Sequence, residues 1–202
     1  MTQIMTAPKS GMTEGQIENA VGKLRDAMRK HRDEISSDVA QQVLGVDNLG
    51  MLMFAPFRKR AEALSNLIVR KVKVNRSRSP QEALDATGRV QYTNRKVVDN
   101  MPKAAADEVD IWFFKPGPSV YRNGYISDDD LAHEFERHGF KPVDPISLAA
   151  ADPDFAVGTH WKDADGKWNF ATFNHWGDER RVIVDRGVSG WDGSWWFAGV
   201  RK

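Results

Sequence analysis

Histidines and carboxylates crowd together in one part of the chain, between residues 158 and 185. The histidines and aspartates there are His160, Asp163, Asp165, His175, Asp178 and Asp185. Two imidazoles and a carboxylate can bind zinc, and an imidazole beside a carboxylate can act as a general base. The spacing matches no established metal motif, however, and Asp-x-Asp-Gly is typical of a hairpin turn. A metal-assisted hydrolase centred on His160 and His175 is therefore our third hypothesis, and we assign no catalytic residue, metal ligand or cofactor.

A run of basic residues between positions 58 and 78 is the second group whose chemistry could serve a function. Only Glu62 interrupts its eight basic residues, which are Arg58, Lys59, Arg60, Arg70, Lys71, Lys73, Arg76 and Arg78. Such a run attracts nucleic acid because phosphate binding releases counterions. The alternative is a solvated face, or a surface that docks on the acidic half of the same chain. A nucleic-acid-binding accessory protein is our second hypothesis.

Tryptophan is concentrated at the C-terminal end, where residues 158–202 hold six of the seven in the chain. The large aromatic residues of this stretch include Trp161, Trp168, Phe170, Phe173, Trp176, Trp191, Trp195 and Trp196. A β unit of this size must bury most of them to be stable, but it cannot easily bury every one. An exposed indole can form the hot spot of a protein interface or stack on a sugar or an unpaired base. We select Trp176, Trp191 and Trp195 as candidate binding residues.

The elements that must position these residues are predicted to be antiparallel strands. Turn sequences at 163–166 and 191–193 separate runs rich in Trp, Phe, Val and Ile. Trp195 and Trp196 are neighbours in the last strand, so they should point to opposite faces. A strand that is apolar on both faces is either central in its sheet or presents one face to a partner.

Helices are predicted before this β unit. Thr13 and Gln16 form a capping box, and the stripe that follows, Ile17, Val21, Leu24 and Met28, keeps helical spacing. A second helix should begin near Ser36, and a third should run from near Pro56 to about Val69. Three helices with narrow apolar stripes predict a small bundle or a helical arm.

The middle of the chain mixes strand and helix patterns. Residues 72–74 alternate like an edge strand, and residues 109–114 (VDIWFF) are typical of a buried strand. Ser79, Ser127 and Asp144 each have the position of an N-cap before a short helix.

Composition and charge set the broad class. The chain has 202 residues with 41% hydrophobic and 28% charged residues, which is typical of a soluble globular protein, and it has no apolar run long enough for a membrane span. Zero cysteines exclude disulfides and thiol chemistry, and the start lacks a signal-peptide pattern, so we expect a cytoplasmic protein. Residues 1–105 carry a net charge of +7 and residues 106–202 a net charge of −6, so the two halves could attract each other.

Three stretches, 79–102, 126–150 and 158–202, resemble a family of hypothetical proteins from bacterial and mobile-element genomes. The most specific feature is the tail, Trp195 to Lys202, in which a Trp pair is followed by Phe-Ala-Gly and a basic end. The resemblance covers most of the chain and implies one cooperative unit. It implies no activity and no assigned site residue.

Together these patterns predict an α+β protein, with an N-terminal helical segment followed by a compact domain that has a Trp-rich antiparallel β-sheet and short helices. The predicted boundaries are a flexible tail at 1–12, helices at 13–75 and the mixed domain at 76–202, with its sheet at 158–202. Our first hypothesis is a non-enzymatic interaction protein that uses an exposed aromatic face of the sheet. Its helical segment would serve docking or self-association, so we expect a protein partner or a second copy, with nucleic acid as the open alternative.

Overall fold

The computed structural model describes residues 12–64, 67–187 and 190–202, and the chain divides into two compact units, Met1–Ser65 and Asn66–Lys202. The predicted α+β class with an N-terminal helical segment is confirmed. The tail predicted at residues 1–12 lies outside the described residues, apart from the exposed Met12. Within the described ranges, no helix has the length and apolar character that a membrane span requires.

The first unit consists of α1 (Glu14–Lys30), α2 (Ser37–Leu44) and α3 (Leu49–Leu64). The predicted capping box is present, because the Gln16 amide donates to Thr13 Oγ1 at 3.3 Å and the Thr13 amide donates to Gln16 Oε1 at 2.9 Å. Ser36 caps α2 with a single bond, because the Val39 amide donates to Ser36 Oγ at 3.4 Å. Neither α1 nor α2 contains a buried residue, so their apolar stripes do not form a core of their own.

The third helix differs from its prediction at both ends. It begins at Leu49, so that Pro56 lies inside it, and it ends at Leu64. The predicted helical segment at 13–75 is too long, because Leu67–Lys73 forms a strand, β1. The reason is that burial alternates with a period of two, as in a strand. Ile68 and Val72 are buried while Val69, Lys71 and Lys73 are exposed. The mixed unit therefore begins before residue 76.

The second unit is built on an eight-stranded sheet. After β1 its elements are α4 (Pro80–Asp85), β2 (Val90–Thr93), α5 (Arg95–Asp99), β3 (Glu108–Phe114), β4 (Tyr125–Ile126), α6 (Asp128–Arg137), β5 (Phe140–Pro142), α7 (Pro145–Ala151), β6 (Val157–Lys162), β7 (Trp168–Trp176), β8 (Glu179–Arg186), β9 (Trp191–Asp192) and β10 (Trp196–Arg201). The strand order is β1-β3-β10-β6-β7-β8-β2, and β5 also pairs with β10. Strands β4 and β9 form a separate small sheet.

The predicted Trp-rich antiparallel unit is present as the β6-β7-β8 meander. The last strand does not extend that meander. Instead β10 lies between β3 and β6, antiparallel to the first and parallel to the second. It is therefore a central strand, which explains why it is apolar on both faces.

One face of the sheet carries the main core, where α5 and α7 pack on the strands and α4 packs against these two helices. The buried residues of this core include Ile68, Val72, Leu84, Val97, Val98, Ile111, Phe113, Ile146, Leu148, Val157, Phe173, Val182, Val184 and Ala198. The predicted caps begin α4 and α7, because Ser79 forms a capping box with Glu82 and the Asp144 carboxylate accepts the Ser147 amide at 3.0 Å.

On the opposite face, which we call the second face, the described residues of the second unit that pack on the strands belong to α6 and the β4–β9 pair. Trp191 of β9 packs directly on β6, where Gly158 leaves room for its ring. A Cβ at position 158 would lie 2.5 and 2.6 Å from two indole carbons of Trp191. Since real Cβ contacts are longer than this, glycine is required there for Trp191 to reach its buried position.

We expect Gly158→Ala to lower the free energy of unfolding by about 1 to 3 kcal/mol, because the added methyl group displaces a packed indole. Urea unfolding with tryptophan fluorescence measures the change. Gly193→Ala is the matched control, because a Cβ at Gly193 would meet no atom within 4 Å. Equal stability of the two variants would contradict this account of the packing.

Candidate functional site

His160 and Asp128 form a buried pair on the second face. His160 comes from β6, and Asp128 is the first residue of α6, directly after the cap Ser127. Imidazole Nδ1 and Asp128 Oδ1 are 2.9 Å apart, and the two side chains are 0% and 2% exposed. Nε2 finds no hydrogen-bond partner among the described residues. The His160 ring stacks on Trp168 with centroids 4.4 Å apart, so a substrate cannot reach it without movement of that indole.

The structure separates His160 from His175. In the β6–β7 ladder His160 pairs with Phe170, so His175 lies five positions further along β7, about 16 Å away. An odd spacing also places the two imidazoles on opposite faces of the sheet. They cannot bind one ion, and the described part of the chain has no group of three or more His, Cys, Asp or Glu side chains that could hold a metal.

A groove of about 860 Å³ runs beside the buried pair. Its aromatic rings are already in contact with cations: the Lys162 ammonium lies 4.6 Å from the Trp168 ring centroid, and the Arg201 guanidinium lies 4.5 Å from that of Trp112. The other sides of these rings pack on His160 and Phe140. The groove therefore offers neither indole as an open platform on which a sugar or base can stack.

Several cations of the predicted basic run are engaged inside the second unit. The Arg76 guanidinium donates to Asp144 Oδ1 at 2.9 Å, to Ser147 Oγ at 2.7 Å and to the Ala106 carbonyl at 2.8 Å. Lys73 Nζ lies 3.9 Å from Glu108 Oε1. Both cations pair with carboxylates of the acidic half, which is the alternative that the charge distribution left open. Arg76 thereby contacts the cap and the first turn of α7.

The rest of the run is divided between different elements. Arg58 and Arg60 belong to α3 in the first unit, while Arg70 and Lys71 belong to the edge strand β1 in the second. The Arg70 guanidinium packs over Phe155 at 5.2 Å and over Phe113 at 5.7 Å. Arg60 and Lys71 are exposed, and the side chain of Lys59 lies outside the described residues. The run is thus not one continuous helix face.

The three candidate tryptophans have three different environments. Trp191 is 1% exposed and belongs to the core, so we remove it from the proposed surface. Its burial follows from the space above Gly158 and from a hydrogen bond, because the indole Nε1 donates to Asp128 Oδ1 at 2.9 Å. Trp195 is half-buried and packs edge-on against Trp191 with centroids 5.5 Å apart. Trp176 is 71% exposed.

Trp176 belongs to a group of side chains on the uncovered end of the second face, which we call the aromatic cluster: Tyr92, Trp176, Glu179 and Arg181. The Arg181 guanidinium lies 5.2 Å from the ring centroid of Tyr92 and 5.2 Å from that of Trp176. Glu179 pairs with Arg181 and accepts the Tyr92 hydroxyl at 3.4 Å. The cluster is therefore ordered by cation–π contacts and an ion pair before any partner binds.

Sequence reasoning missed Tyr92 and Arg181. They meet Trp176 because β8 pairs antiparallel with β7 and parallel with β2, the strand at the sheet edge. In this register Trp176 lies opposite Glu179, and Val90 lies opposite Arg181. The β7–β8 hairpin could be predicted from the sequence, but the parallel pairing of β2 with β8 spans about ninety residues and has no local signal.

His138, at the end of α6, has an unusual electrostatic environment on the same face. Burial lowers the pKa of its imidazole below the ordinary value of 6.5, nearby Arg137 lowers it further, and Glu134 partly opposes them. Its ring packs 4.9 Å from that of Phe114. The folded protein therefore favours neutral His138.

Because the pKa of His138 is lower in the folded than in the unfolded state, the unfolded chain binds more protons at mildly acidic pH. We expect the free energy of unfolding to fall as pH decreases below about 6.5, and His138→Gln to reduce this fall. Urea unfolding at pH 7.5 and 5.5 measures it. His133→Gln, at an exposed site on α6, is the matched control; an unchanged pH dependence in the His138 variant would contradict the assignment.

Comparison with known proteins assigns no role to the His160–Asp128 pair or to the aromatic cluster. No protein-family model, no curated protein and no solved structure matches this chain. The resemblance of the tail to hypothetical proteins stays a prediction, and the functional argument depends on the surfaces described above.

Proposed function

We propose that the second unit is a non-enzymatic protein-binding module whose contact surface is the aromatic cluster. The observation that carries this proposal is the exposure of Trp176, which is 71% accessible on the side of a folded sheet. Tyr92 is 48% exposed beside it, and Val90 on the same edge strand is exposed as well. Exposed apolar residues that are contiguous on one face are typical of interaction sites.

The composition of the cluster supports a protein partner. Tryptophan, tyrosine and arginine are the residues most enriched among binding hot spots, because each buries a large area and makes a directional polar contact. Arg181 is already held between two rings and paired with Glu179, so little side-chain entropy is left to lose on binding. A partner that covers Trp176 gains burial of apolar surface at low cost in ordering.

The helical first unit serves docking or self-association in this proposal. Its support is the exposed apolar stripe of α1 together with the lack of any buried residue in α1 and α2. We place the protein in the cytoplasm, in keeping with a sequence that has no cysteine. Nucleic-acid binding through residues 58–78 is the alternative, and a gel shift at low salt is the direct measurement for it.

We expect Trp176→Ala to weaken binding of the partner by about 30-fold or more, as truncation of a hot-spot aromatic does. Its free energy of unfolding should change by only about 0.5 kcal/mol, because the side chain lies at the surface. The partner is recovered from cell extract with the full-length chain and then purified. Its affinity for the variant is measured by titration calorimetry.

Tyr125→Ala is the matched control for this titration, because Tyr125 is an exposed aromatic on β4, outside the cluster. Its affinity should equal that of the unaltered chain. If Trp176→Ala and Arg181→Ala both bind the partner as tightly as Tyr125→Ala, the aromatic cluster is not the contact surface.

A further inference from the structure

Helix α1 presents an apolar stripe to solvent along its whole length. Ile17, Val21, Leu24 and Met28 are 39%, 44%, 43% and 55% exposed. Most helical stability in proteins comes from packing of the apolar face, so without a cover the 17-residue α1 lacks its main source of stability. The stripe therefore needs a cover, and its pattern indicates which one.

The stripe has the spacing of a coiled-coil seam. Its residues follow one another at intervals of four, three and four, which corresponds to alternating d and a positions over two heptads. Val21 and Met28 then occupy a positions, and Ile17 and Leu24 occupy d positions. This seam is narrow, so it fits one partner helix.

The two flanks of the seam differ in a way that selects the orientation of the partner. One flank carries an acidic residue in its N-terminal half, Glu18, and a basic residue in its C-terminal half, Arg25. The other flank carries only small residues beside the seam, Ala20 and Ala27. Small residues there let a second helix approach closely, while the charged flank is complementary to a copy of itself that runs the opposite way.

We propose that α1 pairs with α1 of a second copy of this chain in an antiparallel arrangement. Val21 then packs on Leu24 of the second copy, and Ile17 packs on Met28, each contact occurring twice by symmetry. The same register brings Glu18 of each copy beside Arg25 of the other. Antiparallel helices also align their macrodipoles favourably, whereas a parallel pair would set the like partial charges of the helix ends side by side.

This proposal deepens the docking role proposed for the first unit and is independent of the aromatic cluster in the second. The seam contains two heptads, so the interface is small and belongs to the weak, reversible class. The dimer should therefore form at micromolar or higher concentration of the full chain and dissociate on dilution, which sedimentation velocity over a concentration series detects.

Two single variants with reversed charges test the register. Glu18→Arg places two arginines opposite each other in a self-pair, and Arg25→Glu places two glutamates opposite each other, so each variant alone should dimerise about tenfold more weakly. An equimolar mixture should recover the affinity of the unaltered chain. The reason is that the arginine introduced at position 18 of one variant meets the glutamate introduced at position 25 of the other only if the helices are antiparallel.

Each outcome decides the matter. Rescue in the mixture supports antiparallel pairing, while weak self-pairing without rescue overturns the register. A chain that is monomeric at all concentrations overturns the proposal as a whole. Circular dichroism of the two variants checks that α1 is still helical. Both variants keep the four apolar seam residues, so a loss of dimerisation reports on the changed charges.

Trp176→Ala separates this proposal from that for the second unit. The variant should dimerise like the unaltered chain, even if it has lost its partner. If it is monomeric instead, the copies associate through the aromatic cluster and the pairing of α1 is wrong.

Discussion

One carboxylate oxygen connects three elements of the second unit. Asp128 Oδ1 accepts the Trp191 indole at 2.9 Å and lies 2.9 Å from His160 Nδ1, so α6, β9 and β6 meet at a single buried atom. A buried carboxylate is costly unless it is fully hydrogen-bonded, and its position in the first turn of α6 adds the favourable end of the helix dipole. Ser127 caps α6 directly before Asp128, and Leu131 and Phe135 are buried further along the same helix.

The same connection determines which part of the sheet stays open. Helices α4, α5 and α7 belong to the main core, so among the described elements of the second unit α6 and the short β4–β9 pair are left to cover the second face. Asp128 holds both near β6, and the far end of the face, on β8 and β2, receives no cover from them. Tyr92 and Trp176 are exposed for that reason, and the aromatic cluster is a consequence of the topology as much as of the composition.

Local patterns were sufficient to predict the helix caps, whereas the end of the third helix and the site depended on contacts that are distant in sequence. Thr13, Ser127 and Asp144 were identified as caps because capping is decided within three or four residues. The exposure of Trp176 and the burial of Trp191 could not be predicted from the two residues themselves, since the turn and strand patterns around them are alike. Burial is decided by Gly158 and Asp128, which lie more than thirty residues from Trp191. Likewise, the pairing of Arg76 within the chain could not be predicted from local sequence, because its carboxylate partner is 68 positions away.

The two units differ in what stabilises them. The second unit buries a continuous core and is stable through its own packing, whereas α1 and α2 bury no residue. Helices without a core remain ordered only to the extent that something covers their apolar stripes, so part of the free energy gained when α1 associates must offset the entropy of ordering the helix. In the dimer that we propose, association through α1 is consequently weaker than its apolar area suggests, and it responds strongly to changes in helix stability. The capping box at Thr13 and Gln16 has a role here that it would not have in a packed bundle: by stabilising α1 in the free chain, it reduces the ordering cost and so raises the affinity of whatever interaction that helix makes.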